Sequence, residues 1–143
     1  MRAGFMPRLR DPADLNARLT GAPVARLATI RPDGTPRLVP ITFAVVDGLI
    51  CSAVDTVKPK ASVRLARLDD VRRDPRVGIL VDSYDEDWER LWWVRVDGVA
   101  VVVDAYPAAV VALRAKYPAY ANAVLDGPLL VVTPSAWSGW SAG

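Results

Sequence analysis

Histidine is absent from this 143-residue chain, and cysteine occurs once, as Cys51. Without histidine there is no Ser-His-Asp triad, no imidazole general base, no His-built zinc site and no haem on a proximal histidine. One cysteine excludes an internal disulfide, and its place in an apolar run, Leu49-Ile50-Cys51-Ser52-Ala53-Val54, points to packing. Lysine is scarce as well, three residues against fifteen arginines. No apolar run approaches the roughly 18 residues of a membrane-spanning helix. Residues 1–7 lack the apolar stretch of a secretory signal, so a cytoplasmic location is expected. A net charge of only +2 rules out a bulk polycation and makes any basic surface local.

What the chain does have is apolar substance: 52 % hydrophobic residues, enough for a globular core. Its length suits one domain over residues 1–143, with an N-terminal helical segment at 1–22 and a C-terminal tail at 135–143. Asp11-Pro12 reads as a helix start, with Leu15 and Leu19 on one face and Gly21 as the stop. Residues 23–31 alternate as a strand, and Pro32-Asp33-Gly34-Thr35 supplies hairpin chemistry. A second strand is expected over 36–46 despite Pro40, whose missing N–H marks an edge, a bulge or a break. Asp47-Gly48 turns into a third strand ending near Val54.

Beyond a basic helix, strands are expected at 77–81, 91–104 and 129–132, with a helix over 107–116 ended by Tyr117-Pro118. Asp97-Gly98 fits either a turn or a bulge in one long strand. Six apolar strands at hairpin spacing, with three helices, predict a closed or nearly closed antiparallel barrel.

Two of the three lysines flank one proline in Val57-Lys58-Pro59-Lys60, between a strand and a helix. Ala61, Leu65 and Leu68 share one helical face, and Lys60, Arg64 and Arg67 share a second. The first N–H groups of a helix are unpaired and its dipole is positive there, so an anion is favoured. The motif therefore reads as a phosphate or polyanion site, or alternatively as the solvated basic face of an ordinary helix. The acidic run Asp85-Glu86-Asp87 lacks the glycine and spacing of a calcium loop, and no metal site is expected.

In order along the chain stand Ala28-Thr29-Ile30-Arg31-Pro32-Asp33-Gly34-Thr35-Pro36, Val39-Pro40-Ile41-Thr42-Phe43, Lys58-Pro59-Lys60 and Arg73-Asp74-Pro75-Arg76-Val77. This series resembles the pyridoxamine-phosphate-oxidase-like split barrels. With Tyr84-Asp85-Glu86-Asp87-Trp88 and Leu91-Trp92-Trp93-Val94-Arg95 it is similar to their actinobacterial branch that uses the deazaflavin coenzyme F420. The resemblance implies a six-stranded antiparallel split β-barrel with a few flanking helices, forming a homodimer with the cofactor across its interface. It implies that Lys60, helped by Lys58 beside Pro59, grips the cofactor phosphate. The ring is then expected against Val39, Pro40, Ile41 and Thr42 and against Ala53 and Val54. Trp137 is a further expected ring contact. Pro40 equally reads as a plain edge-strand proline. The Arg-x-His element with which true pyridoxamine phosphate oxidases hold their substrate has no counterpart in a chain without histidine.

FMN and F420 both offer a phosphate to the lysines. Arg64, with Arg67, Arg72 and Arg73, suits the oligoglutamate tail of F420. The expected function is hydride transfer between F420 and a small organic acceptor. The alternatives are an FMN oxidoreductase of the same fold and a carrier without turnover. Nucleic-acid binding is disfavoured, because aromatics are not interleaved with the basic residues.

Overall fold

The structure, a computed structural model, describes residues 8–54 and 61–143, with backbone alone over 61–65. Its elements run α1 (Pro12–Gly21), β1 (Ala25–Ile30), β2 (Pro36–Ile41), β3 (Ala44–Val46), β4 (Leu49–Ala53), α2 (Ala61–Arg73), β5 (Arg76–Ser83), β6 (Trp92–Val103), α3 (Pro107–Lys116) and β7 (Leu129–Ser141). Asp11 caps α1 by accepting from the Ala13 N–H, and Leu15 and Leu19 are its buried residues. At Asp47-Gly48 both residues take positive φ, 51° and 78°, which is what a two-residue hairpin turn between β3 and β4 demands.

Seven strands form one sheet in the order β2-β1-β5-β6-β7-β4-β3, each paired antiparallel to its neighbour. The expected count of six fails at residues 36–46, where the single strand is broken. Ile41 ends β2 and Ala44 begins β3, so Thr42 and Phe43 carry the chain from one edge of the sheet to the other. Seven flat strands would hold those edges about 29 Å apart. Three peptide units span at most about 11 Å. The sheet must therefore roll until its edges meet, and the seam lies at Thr42-Phe43.

The last strand also exceeds its expected length. It runs to Ser141, so most of the segment read as a tail pairs with β6 instead. Asp97-Gly98 is no turn: β6 passes straight through, and Ser135 of β7 is the extra residue opposite it. Two cores result. The rolled interior holds Leu27, Phe43, Ile50, Leu68, Ile79, Val94 and Val96. Leu113 of α3 packs on the opposite face of β4 and β7 with Cys51, Leu129 and Val131. This explains why Leu129-Leu130-Val131-Val132 is buried without alternation. No described helix is long and apolar enough to cross a membrane.

Candidate functional site

The seam gathers several of the residues expected to form the site. Val39, Pro40 and Ile41 occupy β2, in register with Leu27, Arg26 and Ala25. Ala53 ends β4 and Val54 follows it. The β3–β4 ladder ends with Ala44 opposite Cys51, so Thr42 and Ala53 each lie two residues past its last pair, on the same side of the turn. Both ends of the candidate ring site thus converge where the sheet closes on itself. Pro40 is exposed on an edge strand, where a residue without an N–H costs the sheet least. Ile41 and Ala53 are buried, and Val39 and Val54 pack against the interior core.

The C-terminal end of α3 staples the seam from outside. Thr42 Oγ1 and the Tyr120 hydroxyl share a 2.6 Å hydrogen bond. The Tyr117 hydroxyl accepts from the Phe43 N–H at 3.1 Å and donates to the Pro23 carbonyl at 2.9 Å. Burial pushes the Tyr117 phenol up, and its hydrogen bond with the Phe43 backbone only partly offsets this. Lys116 Nζ lies 3.7 Å from the centre of the Phe43 ring, buried and, among the described residues, without a hydrogen-bond partner. Burial pushes its pKa down to about 8, and the ring face acts the other way by favouring the cation. None of this was foreseen from sequence. The available signal was that Lys116 is the only lysine outside the Lys58/Lys60 pair.

Lys58, Pro59 and Lys60 lie outside the described residues, as does the side chain of Arg64. Their flanks are described. Val54 is tied by its N–H to the Pro128 carbonyl at 3.2 Å, and α2 begins at Ala61 with no acidic residue in its first turn. The far half of α2 is anchored by Asp70, a buried carboxylate that accepts from Thr29 Oγ1 at 2.8 Å and Arg37 Nε at 2.7 Å. Burial pushes the Asp70 carboxyl up, and the hydrogen bonds from Arg37 and Thr29 outweigh it, leaving the pKa lowered. Arg73 adds a contact to Asp70 at 3.4 Å and donates to the Ile30 carbonyl. The helix that follows Lys58 and Lys60 in sequence is thereby fixed against β1 and β2.

Trp137 pairs in register with Val96, on the strand face turned to the interior, and is 36 % exposed. On its edge away from β6, and among the described residues, β7 has no strand partner between the end of β4 pairing at Val132 and the Leu9 N–H bond to the Gly139 carbonyl. Cys51 is fully buried, and desolvation raises its thiol to about 11, which removes it as a nucleophile.

A family model for pyridoxamine 5'-phosphate oxidase matches residues 12–141, from the first residue of α1 to the last of β7. The chain belongs to that family. Solved structures agree with the family's fold. A conserved hypothetical protein from Mycobacterium tuberculosis superposes with a TM-score of 0.77 at 24 % identity, over 99 % of this chain and 89 % of that one. An FAD-binding protein from Mesorhizobium loti gives 0.69 at 21 % identity, over 94 % and 96 %. An F420 reductase gives 0.61 at 22 % identity, over 85 % and 94 %. As a member of the pyridoxamine 5'-phosphate oxidase family the protein shares the split-barrel class, here with seven strands.

Proposed function

We propose that this protein is an oxidoreductase that moves a hydride between the deazaflavin coenzyme F420 and a small organic acceptor. It works in the cytoplasm as a homodimer of one-domain subunits, with the coenzyme at their interface. The observation that carries this is the approach of the β2 and β4 ends at the seam, with Lys58 and Lys60 next in sequence ahead of α2. Val39, Pro40, Ile41, Thr42, Ala53 and Val54 hold the ring, with Trp137 as a further contact. Lys58, Pro59 and Lys60 take the phosphate beside the helix start. Arg64 takes the acidic tail.

The chain suits such a ligand. The ring residues offer apolar walls and the half-buried Thr42, and the first turn of α2 carries no carboxylate to repel an anion. Once bound, the coenzyme supplies the two-electron hydride chemistry. The protein orients the ring and keeps water away, and a solvent proton completes reduction of the acceptor. No side chain is assigned as acid or base. Similarity in fold to an F420 reductase and to an FAD-binding protein supports a cofactor of this general kind.

Titration of the purified protein with F420, followed by the coenzyme's fluorescence, tests the assignment. Saturable binding is expected, weakened about tenfold or more by Lys60→Ala. Tight FMN binding with no response to F420 would transfer the protein to the FMN reading, which the FAD-binding neighbour favours. Binding without oxidation of the reduced coenzyme by any acceptor would make it a carrier.

A further inference from the structure

Where the chain leaves β6 and later enters β7, it encloses a cleft of about 330 Å³ against the start of α3. The register explains the grouping. Val103 and Leu129 are the final pair of the β6–β7 ladder, so both connecting segments lie at the same end of the sheet. Asp104 is the first residue past Val103, and Asp126 stands three before Leu129. Each segment thus brings one carboxylate to the cleft. Tyr106, Val110, Leu125 and Leu129 make an apolar floor, in which Leu125 and Leu129 are buried. Val111 stands at the rim and is 69 % exposed.

The charge in this cleft is of one sign. Among the described residues that line it there is no lysine or arginine. Asp104 and Asp126 make no hydrogen bond or ion pair among the described residues, whereas every other described aspartate except Asp47 makes one. The basic residues of α3 sit in its last turn and are committed there. Arg114 donates to the Ala123 carbonyl at 3.0 Å, and Lys116 Nζ lies over the Phe43 ring. The start of α3 contributes about half a positive charge, which leaves the two carboxylates largely uncompensated. Apolar depth below an acidic mouth suits a ligand that buries its body and keeps a cationic head in water.

We infer that this cleft is a binding site for a small amine with an apolar body about the size of one ring. The body lies on Tyr106, Val110, Leu125 and Leu129, and the ammonium meets Asp104 and Asp126. The aromatic ring of Tyr106 suits the same charge. Each exposed carboxylate contributes modestly, because water screens it, and the two together set the preference for a cation. The volume falls in the range of small-molecule sites, and apolar walls with a few polar groups are their usual lining. None of the described residues assigned to the coenzyme lines this cleft, so the site stands whether or not the protein uses F420.

Amide NMR of the full chain, titrated at pH 7 with 2-phenylethylamine and with its neutral isostere 2-phenylethanol, tests this. Saturable shifts are expected for amides within 104–111 and 125–129. The amine should bind with a Kd of about a millimolar and the alcohol about fivefold more weakly. The double variant Asp104→Asn/Asp126→Asn changes only exposed positions and is expected to bring the amine down to the affinity of the alcohol. Val111→Lys puts a competing ammonium at the rim and is expected to weaken the amine more than the alcohol. Lys58→Ala/Lys60→Ala is expected to bind the amine unchanged, which separates this site from the coenzyme's. Shifts that scatter without saturating, equal affinity for the two ligands in the parent, an amine preference that survives the aspartate variant, or loss of amine binding in the lysine variant would each overturn the assignment.

Discussion

Arg37 of β2 donates to the carboxylate of Asp70 on α2 at 2.7 Å, across 33 positions of sequence. Asp70 is buried and Arg37 is largely so. The pair ties an edge strand to α2, and Thr29 in the neighbouring strand donates a second hydrogen bond to the same carboxylate. A buried pair of this kind adds little over an apolar substitute, but removing one partner strands the other charge.

Replacement of Asp70 by alanine should accordingly destabilise the protein by about 3 kcal/mol, since it leaves Arg37 uncompensated. Because its folded pKa is lowered, Asp70 contributes stability that is complete above the unfolded carboxylate value and is lost as pH falls through the folded one. Urea denaturation from pH 7 to pH 2 should show a smaller acid loss in Asp70→Asn than in the parent. Equal acid sensitivity would mean that other carboxylates govern it.

Tyr117→Phe removes one hydroxyl that serves the Phe43 N–H and the Pro23 carbonyl. The cost should be about 1–3 kcal/mol, because a backbone donor at the seam loses its partner. Chemical denaturation measures this. A change within experimental error would show that water replaces the hydroxyl and that the staple contributes nothing.

Lys116 gives a pH dependence of opposite sense to that usually expected for a lysine. Its folded pKa, about 8, lies below the unfolded value of 10.5. Between those values the unfolded chain binds more protons, so stability contributed by this group rises with pH across that window. Below about pH 8 the buried ammonium is charged in both states and its burial penalty is in full force. Lys116→Met should raise the melting temperature at pH 7 and flatten its dependence between pH 8 and pH 10. A lower melting temperature at pH 7 would mean that the contact with the Phe43 ring outweighs desolvation.

Gly98 faces β7 where that strand bulges. A Cβ there would meet the Thr133 carbonyl oxygen at 2.5 Å and Val132 Cγ1 at 3.0 Å. Backbone cannot step aside as a flexible side chain can, so Gly98→Ala should cost about 1–3 kcal/mol through overpacking. Thermal denaturation tests this against Gly78→Ala, where the added carbon meets only Ala28 Cβ at 3.9 Å.

Much of this architecture was legible in the residues themselves. The Asp11 cap, the Asp47-Gly48 turn and the extents of α1 and α3 follow from local chemistry, in which each residue's preference is decided by near neighbours. The strands of the middle were readable for the same reason, because alternation reports one buried face. Where both faces are buried, at 129–132, periodicity vanishes, and where strand β7 continues through small and polar residues to Ser141 no apolar signal marks it.

By itself the sequence determined the caps and turns that bound α1, α3 and the β3–β4 hairpin, and that imidazole chemistry is unavailable. Tertiary structure alone decided that Thr42-Phe43 breaks a strand in two and joins the sheet's opposite edges. It also decided that Lys116 and Tyr117 meet that break, and that Asp104 and Asp126 share one cleft. The physical reason is range. Propensities and turns act over a few residues, whereas a seam or a cleft is set by which distant strands pair and in what register, and nothing local encodes that choice.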